Sequence, residues 1–206
     1  MFNVCTKCGE YSDENEVLSS PARSKCRLCG FEYPFLRLPA FFVTGASGTG
    51  KTTIALAMLK TDNPFVCLDQ DILWNDSFNS GSASHDVFRN TWLRLIKNIN
   101  QSGKAVMLFG STIPEQIENC PERRYIGDTY YLALVCQPGV LANRLTARPQ
   151  WRNSGTKENV QKMIEFNDWL SNNAQNTNPN MRLLDTTAIS LAESVCTVKD
   201  WFMSPS

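Results

Sequence analysis

The residues best placed to do chemistry are Gly45-Ala46-Ser47-Gly48-Thr49-Gly50-Lys51-Thr52, which fit the pattern G-x-x-x-x-G-K-[ST] at every fixed position. Glycine has no Cβ, so such a loop can take positive φ angles and bring backbone N–H groups close around an anion. The loop amides and the start of a following helix aim partial positive charge at a phosphate. Lys51 adds a full charge beside the outer phosphates, and the Thr52 hydroxyl can hold Mg²⁺. The flanks agree: the apolar, β-prone Phe41-Phe42-Val43 leads in, and a helix-forming run from Ile54 to Lys60 leads out.

A second set is metal-like. Cys5-x-x-Cys8 and Cys26-x-x-Cys29 are separated by seventeen residues, and each pair is followed by a glycine, Gly9 or Gly30. Four thiolates closing a tetrahedron suit a structural Zn²⁺ and leave no open position for a catalytic water. The intervening Tyr11 to Lys25 is too polar to build a core unaided, so the metal would supply the folding free energy. Two disulfides or an iron site are the other chemistries open to this spacing. Residues 1–36 resemble a zinc ribbon or rubredoxin-like knuckle, and residues 37–206 form the rest of the chain. Lys7, Arg23, Lys25 and Arg27 make only a thin basic patch, so a stabilising cap or docking surface is a simpler expectation than a grip on nucleic acid or protein.

Two further clusters belong with the glycine-rich loop. Asp69-Gln70-Asp71 closes an apolar run, Phe65 to Leu68, and offers a pair of carboxylates; an exposed turn with capping duties is the other reading. Arg144 and Arg148 are four apart and share a helix face, and Arg152 follows just past Pro149; a solvated basic face is the alternative there. Asp185-Thr186-Thr187 follows the last apolar run, where Asp185 either meets a ligand or caps a turn. His85, the only histidine, reads as an exposed residue at a helix start. Trp74 and Trp151 are candidates for stacking on a ring, whereas Trp92 belongs to a core stripe.

The elements that must position these groups alternate. Strand-like runs at Phe41–Val43, Phe65–Leu68, Ala105–Phe109, Tyr130–Cys136 and Met181–Leu184 are interleaved with helical patterns. The helices are expected from His85 to Ser102 with Phe88, Trp92, Leu95, Ile96 and Ile99 inward, from Pro138 to Arg148 with Val140, Leu141 and Leu145 inward, and from Lys157 to Asn173. A closing helix from Leu191 to Phe202 presents Leu191, Val195, Val198 and Phe202. Asn75 to Ser84 reads as polar and flexible, and Pro34 to Pro39 as a linker. Such alternation calls for an α/β fold, a five-stranded parallel sheet flanked by helices. Ligands of such sheets bind at the carboxyl ends of the strands, where Gly45, Asp69, Asp71, Gly110 and Asp185 all fall.

What is missing narrows the chemistry. The third strand ends Leu108-Phe109-Gly110 and the fourth Leu134-Val135-Cys136, without the acid that motor-type ATPases require, and neither N-K-x-D nor an ABC-type signature is present. From residue 40 to about 203 the chain resembles the P-loop small-molecule kinases: shikimate, gluconate, nucleoside and nucleotide kinases and antibiotic phosphotransferases. The resemblance implies that Gly45 to Thr53 hold the phosphates of ATP, that Asp69 lies near Mg²⁺ and that Asp71 faces the acceptor hydroxyl. It also implies a lid carrying Arg148 and Arg152 toward the transferring phosphate, with Arg144 nearer the base. The usual lid is longer or differently spaced, and the cysteine pairs are N-terminal rather than inserted in it, which argues against an adenylate kinase.

The implied activity is ATP-dependent transfer to a small molecule, nucleoside- or nucleotide-kinase-like. A sugar- or antibiotic-type phosphotransferase and a nucleotide-switched regulatory protein are the alternatives. A formal net charge of zero gives no global field toward nucleic acid or anionic membrane. The first residues lack a signal-like pattern, no run is long enough to span a bilayer, and the eight cysteines are used as in a reducing cytoplasm.

Overall fold

The computed structural model describes residues 3–79 and 81–205. Near the N-terminus, β1 (Glu16–Ser19), β2 (Ala22–Lys25) and β3 (Glu32–Pro34) form an antiparallel three-stranded sheet. The larger sheet holds β4 (Ala40–Gly45), β5 (Phe65–Asp69), β6 (Ala105–Phe109), β7 (Thr129–Val135) and β8 (Met181–Asp185). Its order is β5-β6-β4-β7-β8 and every pair is parallel, so the strand that feeds the glycine-rich loop is central.

Both faces of this sheet are buried, which is why its strands read as continuous apolar runs. On one face Ala40, Phe42, Val106, Leu108, Tyr131 and Ala133 meet α2 (Ser82–Asn100), α3 (Pro114–Glu118) and α5 (Lys157–Asn173). On the other, Phe41, Val43, Met107, Leu132 and Leu134 meet α1 (Lys51–Met58) and α6 (Leu191–Met203). The remaining helix, α4 (Pro138–Thr146), packs against α5 through Leu141, Leu145, Val160 and Ile164. Aromatic pairs on neighbouring strands fix the register: Phe42 stacks on Tyr131 and Phe41 on Tyr130, each at 5.1 Å between centroids.

Three expectations need correction. Asn75 to Ser84 is not structureless: Asp76–Asn79 forms a 3₁₀ turn and α2 begins at Ser82 rather than His85; Ser80 lies outside the described residues. The Asn75 carboxamide accepts from Ser77 N at 3.0 Å, and Phe78 packs on Phe88 and Trp74. These contacts order a polar stretch whose composition alone suggests a loop. Leu191 is not an inward residue but 45% exposed at the capped start of α6, where Ser190 and Glu193 form a reciprocal capping box. Trp201, unremarked in the periodicity, is the ring that packs edge-on against Phe41 at 5.4 Å.

Pro34 to Pro39 does not behave as a free linker either. Leu36 N donates to Gln101 Oε1 at 2.9 Å, Gln101 Nε2 donates back to Leu36 O at 3.0 Å, and Arg37 Nε donates to Ile126 O at 2.9 Å. Phe35 packs edge-on against the buried Tyr125 at 5.7 Å, with Val17 and Ala22 completing the cluster. Beneath Tyr125, Lys97 and Glu122 form an ion pair at 2.5 Å whose side chains are 1% and 2% exposed. The Lys97 ammonium also lies 4.2 Å from the Tyr125 ring centroid. Arg94 spans the seam, reaching Glu122 at 3.1 Å and Asp13 at 3.5 Å. The small sheet is therefore seated on α2 and on the turn Pro121–Tyr125.

Removing one member of a buried ion pair leaves the other charge uncompensated. Lys97→Met should lower unfolding stability by about 3 kcal/mol, read as a shift in urea midpoint. An unchanged midpoint would mean that Arg94 alone satisfies Glu122.

Candidate active site

At the carboxyl ends of β4, β5 and β6, a cavity of about 490 Å³ is lined by the loop residues Gly48, Gly50, Lys51 and Thr52. Asp69, Asp71, Arg148 and Arg152 line it as well. The loop takes its shape from the conformations that glycine permits: Gly48 has φ of 98° and Gly50 has φ of 103°. A Cβ on Gly48 would also lie 2.9 Å from Leu141, so the loop apex rests directly on α4. Thr49 is fully buried, its hydroxyl donating to Ala46 O at 2.9 Å, which makes it a brace within the loop. Ala46 is buried too, among Leu141 and Leu145.

Lys51 opens α1 and folds over the loop, donating to Gly45 O at 2.6 Å and Ala46 O at 3.0 Å. Burial lowers its pKa to about 8, the nearby Arg148 adds to the effect, and Asp71 and Asp69 oppose it. The next residue, Thr52, donates to Asp69 Oδ2 at 3.1 Å, joining the loop to the end of β5. Asp69 Oδ1 accepts from Asp71 N at 3.0 Å and so starts the 3₁₀ turn Gln70–Leu73. Asp71 is thereby presented at the cavity, and burial together with the adjacent Asp69 raises its pKa against the pull of Lys51 and Arg152.

The arginines separate into two positions. Arg148 Nη1 donates to Ser47 Oγ at 2.9 Å, and burial and the Arg152 charge lower the Arg148 pKa. Arg152 follows in the short turn Gln150–Arg152 and lies over the Trp151 ring, 5.5 Å from its centroid. Arg144 points elsewhere, donating to Thr186 O at 2.8 Å and Thr186 Oγ1 at 3.3 Å. It lines a second cavity, about 330 Å³, with Thr53, Ile54, Thr186, Ile189 and Leu191. The two cavities share Gly48, Gly50, Thr53 and Arg148 and thus meet along the glycine-rich loop.

Of the other candidates, Asp185 caps its own turn, accepting from Thr187 N at 2.8 Å and from the Thr187 hydroxyl. His85 and Trp74 pack on each other at 5.6 Å, and Trp74 meets Phe88 edge-on at 5.0 Å. Trp151 lines the first cavity and is 78% exposed. Gly110, expected there as a glycine at a strand end, lines it too. Sequence reasoning passed over Gln70, Ser111 and Ser154, which also line it. It likewise missed Asn167, whose carboxamide accepts from Cys136 N at 3.0 Å and donates to Cys136 O at 2.9 Å, fastening α5 to the end of β7.

The strand order, the central glycine-rich loop and the carboxylates after β5 together decide the architecture. The chain has the P-loop kinase fold. Similar solved structures include a sugar kinase from Janibacter sp. HTCC2649 (15% identity, 82% of this chain and 95% of that one, TM-score 0.58). A shikimate kinase from Acinetobacter baumannii matches at 18% identity over 84% of this chain and 97% of its own, with TM-score 0.53. A thymidylate kinase from Candida albicans matches at 12% identity over 82% and 92%, with TM-score 0.56. No protein-family model matches the chain, and no curated protein matches it in sequence.

The four cysteines converge in a second centre. Their Sγ atoms all lie within 4.8 Å of one another, with Cys5–Cys29 and Cys8–Cys26 at 3.7 Å. A disulfide needs sulfurs about 2.05 Å apart. Tetrahedral Zn²⁺ with bonds of about 2.3 Å puts its sulfurs about 3.8 Å apart, so the donor set fits that ion. Two matching turns build the centre: Gly9 N donates to Cys5 O and Gly30 N to Cys26 O, both at 2.9 Å. Gly9 and Gly30 have φ of 76° and 71°, the left-handed region where glycine is favoured.

Proposed function

We propose that the chain is an ATP-dependent phosphotransferase acting on a small molecule, in the manner of nucleoside and nucleotide kinases. The observation that carries this reading is one cavity that gathers Lys51, Thr52, Asp69, Asp71, Arg148 and Arg152. Phosphoryl transfer asks for positioning and charge stabilisation rather than covalent chemistry, and this set supplies both. Residues Gly45 to Thr53 hold the ATP phosphates, with Lys51 at the outer ones and Arg144 near the base in the second cavity. Thr52 and Asp69 are the residues that would hold Mg²⁺, which when bound neutralises charge on the phosphates. Asp71, its carboxyl pKa raised, takes the proton of the acceptor hydroxyl. Arg148 and Arg152 neutralise charge in the transition state, and the segment bearing them excludes water as it closes.

Cys5, Cys8, Cys26 and Cys29 hold a structural Zn²⁺. Such thiolates persist in a reducing cytoplasm. Among the described residues no helix is long and apolar enough to cross a membrane. The cavity is sized for a small acceptor, and the charges near the knuckles are largely internally paired, as Arg23–Glu32 and Lys25–Glu16 show. A sugar-type acceptor is the second reading, favoured by the likeness to structures described as a sugar kinase and a gluconokinase.

The deciding experiment is acceptor-dependent ADP release across nucleosides, nucleotides, sugars and aminoglycosides. Stimulation by one class is expected. Stimulation by nucleic acid alone would instead favour a nucleotide-switched binding protein. The Lys51 pKa gives a second test. An ammonium buried at about 8 is part deprotonated near about pH 8.5, and a seated polyphosphate restores its charge. ATP binding at that pH should therefore take up a fraction of a proton, read by calorimetry in buffers of different ionisation enthalpy. Uptake should fade below about pH 7, where Lys51 is already charged, and vanish in Lys51→Ala.

A further inference from the structure

The position between the two cavity carboxylates holds a glutamine, and Gln70 has an unusual seat. Its side chain lies flat on Gly110 at the end of β6. A Cβ built on Gly110 would fall 1.9 Å from Gln70 Oε1, 2.2 Å from Cδ and 2.8 Å from Cγ. Gly110 has no left-handed φ to explain it, unlike Gly48 and Gly50, and its N–H is pinned to Val43 O at 3.0 Å. The Gln70 carboxamide therefore rests where a Cβ at position 110 would stand, and a methyl there would displace it.

The carboxamide is oriented as well as seated. Oε1 accepts from Thr112 Oγ1 at 3.4 Å, while Nε2 has no hydrogen-bond partner among the described residues. Asp69 fixes the start of the turn by capping Asp71 N, so the Gln70 backbone is held between the two carboxylates. Gln70, Asp71, Gly110 and Ser111 line the same cavity. A molecule that gives its hydroxyl to Asp71 thus meets an amide donor on the adjacent residue.

We propose that Gln70, held by Gly110, is a specificity-determining residue that selects acceptors whose reactive hydroxyl is flanked by a second oxygen. This rests on the kinase reading above. Asp71 accepts from the hydroxyl, Gln70 Nε2 donates to the flanking oxygen, and the seated side chain closes the β6 end to bulkier acceptors. Losing one such hydrogen bond weakens binding about tenfold.

The test uses the full chain with ATP and three acceptors that share this feature: D-gluconate, shikimate and uridine. At least one should stimulate ADP release. For that acceptor, Gln70→Ala and Gly110→Ala should each raise KM about tenfold and leave the ATP KM within twofold. Gly110→Ala placed in the Gln70→Ala background should add nothing, in KM or in Tm, because the Gln70 atoms its methyl would meet are gone. Additive effects, an unchanged acceptor KM, or an ATP KM that moves as far would overturn the proposal. Since Gly110→Ala can fail by misfolding, Gln70→Glu, which keeps the length and removes the donor, must weaken the acceptor as Gln70→Ala does. A chain that binds an ATP analogue and turns ATP over through Lys51, yet responds to none of the three, overturns this inference and leaves the nucleotide-site reading standing. A chain that binds no ATP analogue overturns both.

Discussion

Lys51→Ala is expected to abolish phosphoryl transfer, with acceptor-dependent ADP release falling at least about a thousandfold. The ammonium stands over the loop on Gly45 O and Ala46 O, so alanine removes a full charge and a cross-brace at once. Lys51→Arg should not rescue, because a planar guanidinium cannot fill a pocket built for a compact ammonium. Far-UV circular dichroism should show the fold retained, since Lys51 is the first residue of α1 and the sheet contacts lie further along at Ile54, Ala55 and Met58. Asp71→Asn in the same assay should cost about a hundredfold or more, because an amide cannot accept the hydroxyl proton. Near-normal turnover in Asp71→Asn would reassign the base. Near-normal turnover in Lys51→Ala would end the kinase reading.

Loss of the metal centre should be the largest effect on stability. Protein purified without chelator is expected to carry about one zinc per chain. Cys26→Ser should abolish that content and unfold the three-stranded sheet, because Val17 and Ala22 alone offer little core without the knuckles. The damage should not stop there. Phe35 and Tyr125 would lose each other, and exposing one such ring costs about 2 kcal/mol. Hydrogen exchange should then quicken in the turn Pro121–Tyr125 and at the Gln101 end of α2, while β4 and β7 stay protected. A metal-free chain with an unchanged melting temperature would refute the zinc assignment. Exchange quickening confined to residues before Pro34 would show that the seam contributes nothing.

The parallel sheet was legible because its strands are buried on both faces: Phe41–Val43 and Tyr131–Val135 are apolar without alternation. The glycine-rich loop was legible because it is contiguous, and its chemistry depends on backbone shape that local residue types dictate. Asp69 and Asp71 were found because the turn that presents them directly follows a strand. The reading failed where partners are remote in sequence. Nothing near Asn75 announces that Phe78 will pack on Phe88, and nothing near Gln101 announces its exchange with Leu36. The buried Lys97–Glu122 pair was hidden for the same reason, since each residue alone looks like a solvated helix charge.

Sequence by itself determined the alternation of strand and helix, the glycine-rich loop at Gly45 to Thr52 and the two cysteine pairs. All are encoded by neighbours within a few residues, where backbone preference and spacing are decisive. Tertiary structure alone decided that Arg148 and Arg152 share a cavity with Asp71 while Arg144 turns to Thr186. It also decided that the knuckles sit on α2 and that Gln70 rests on Gly110. Those outcomes depend on packing between segments that are distant in the chain, where a close approach or a shared burial, rather than any local pattern, selects the residue.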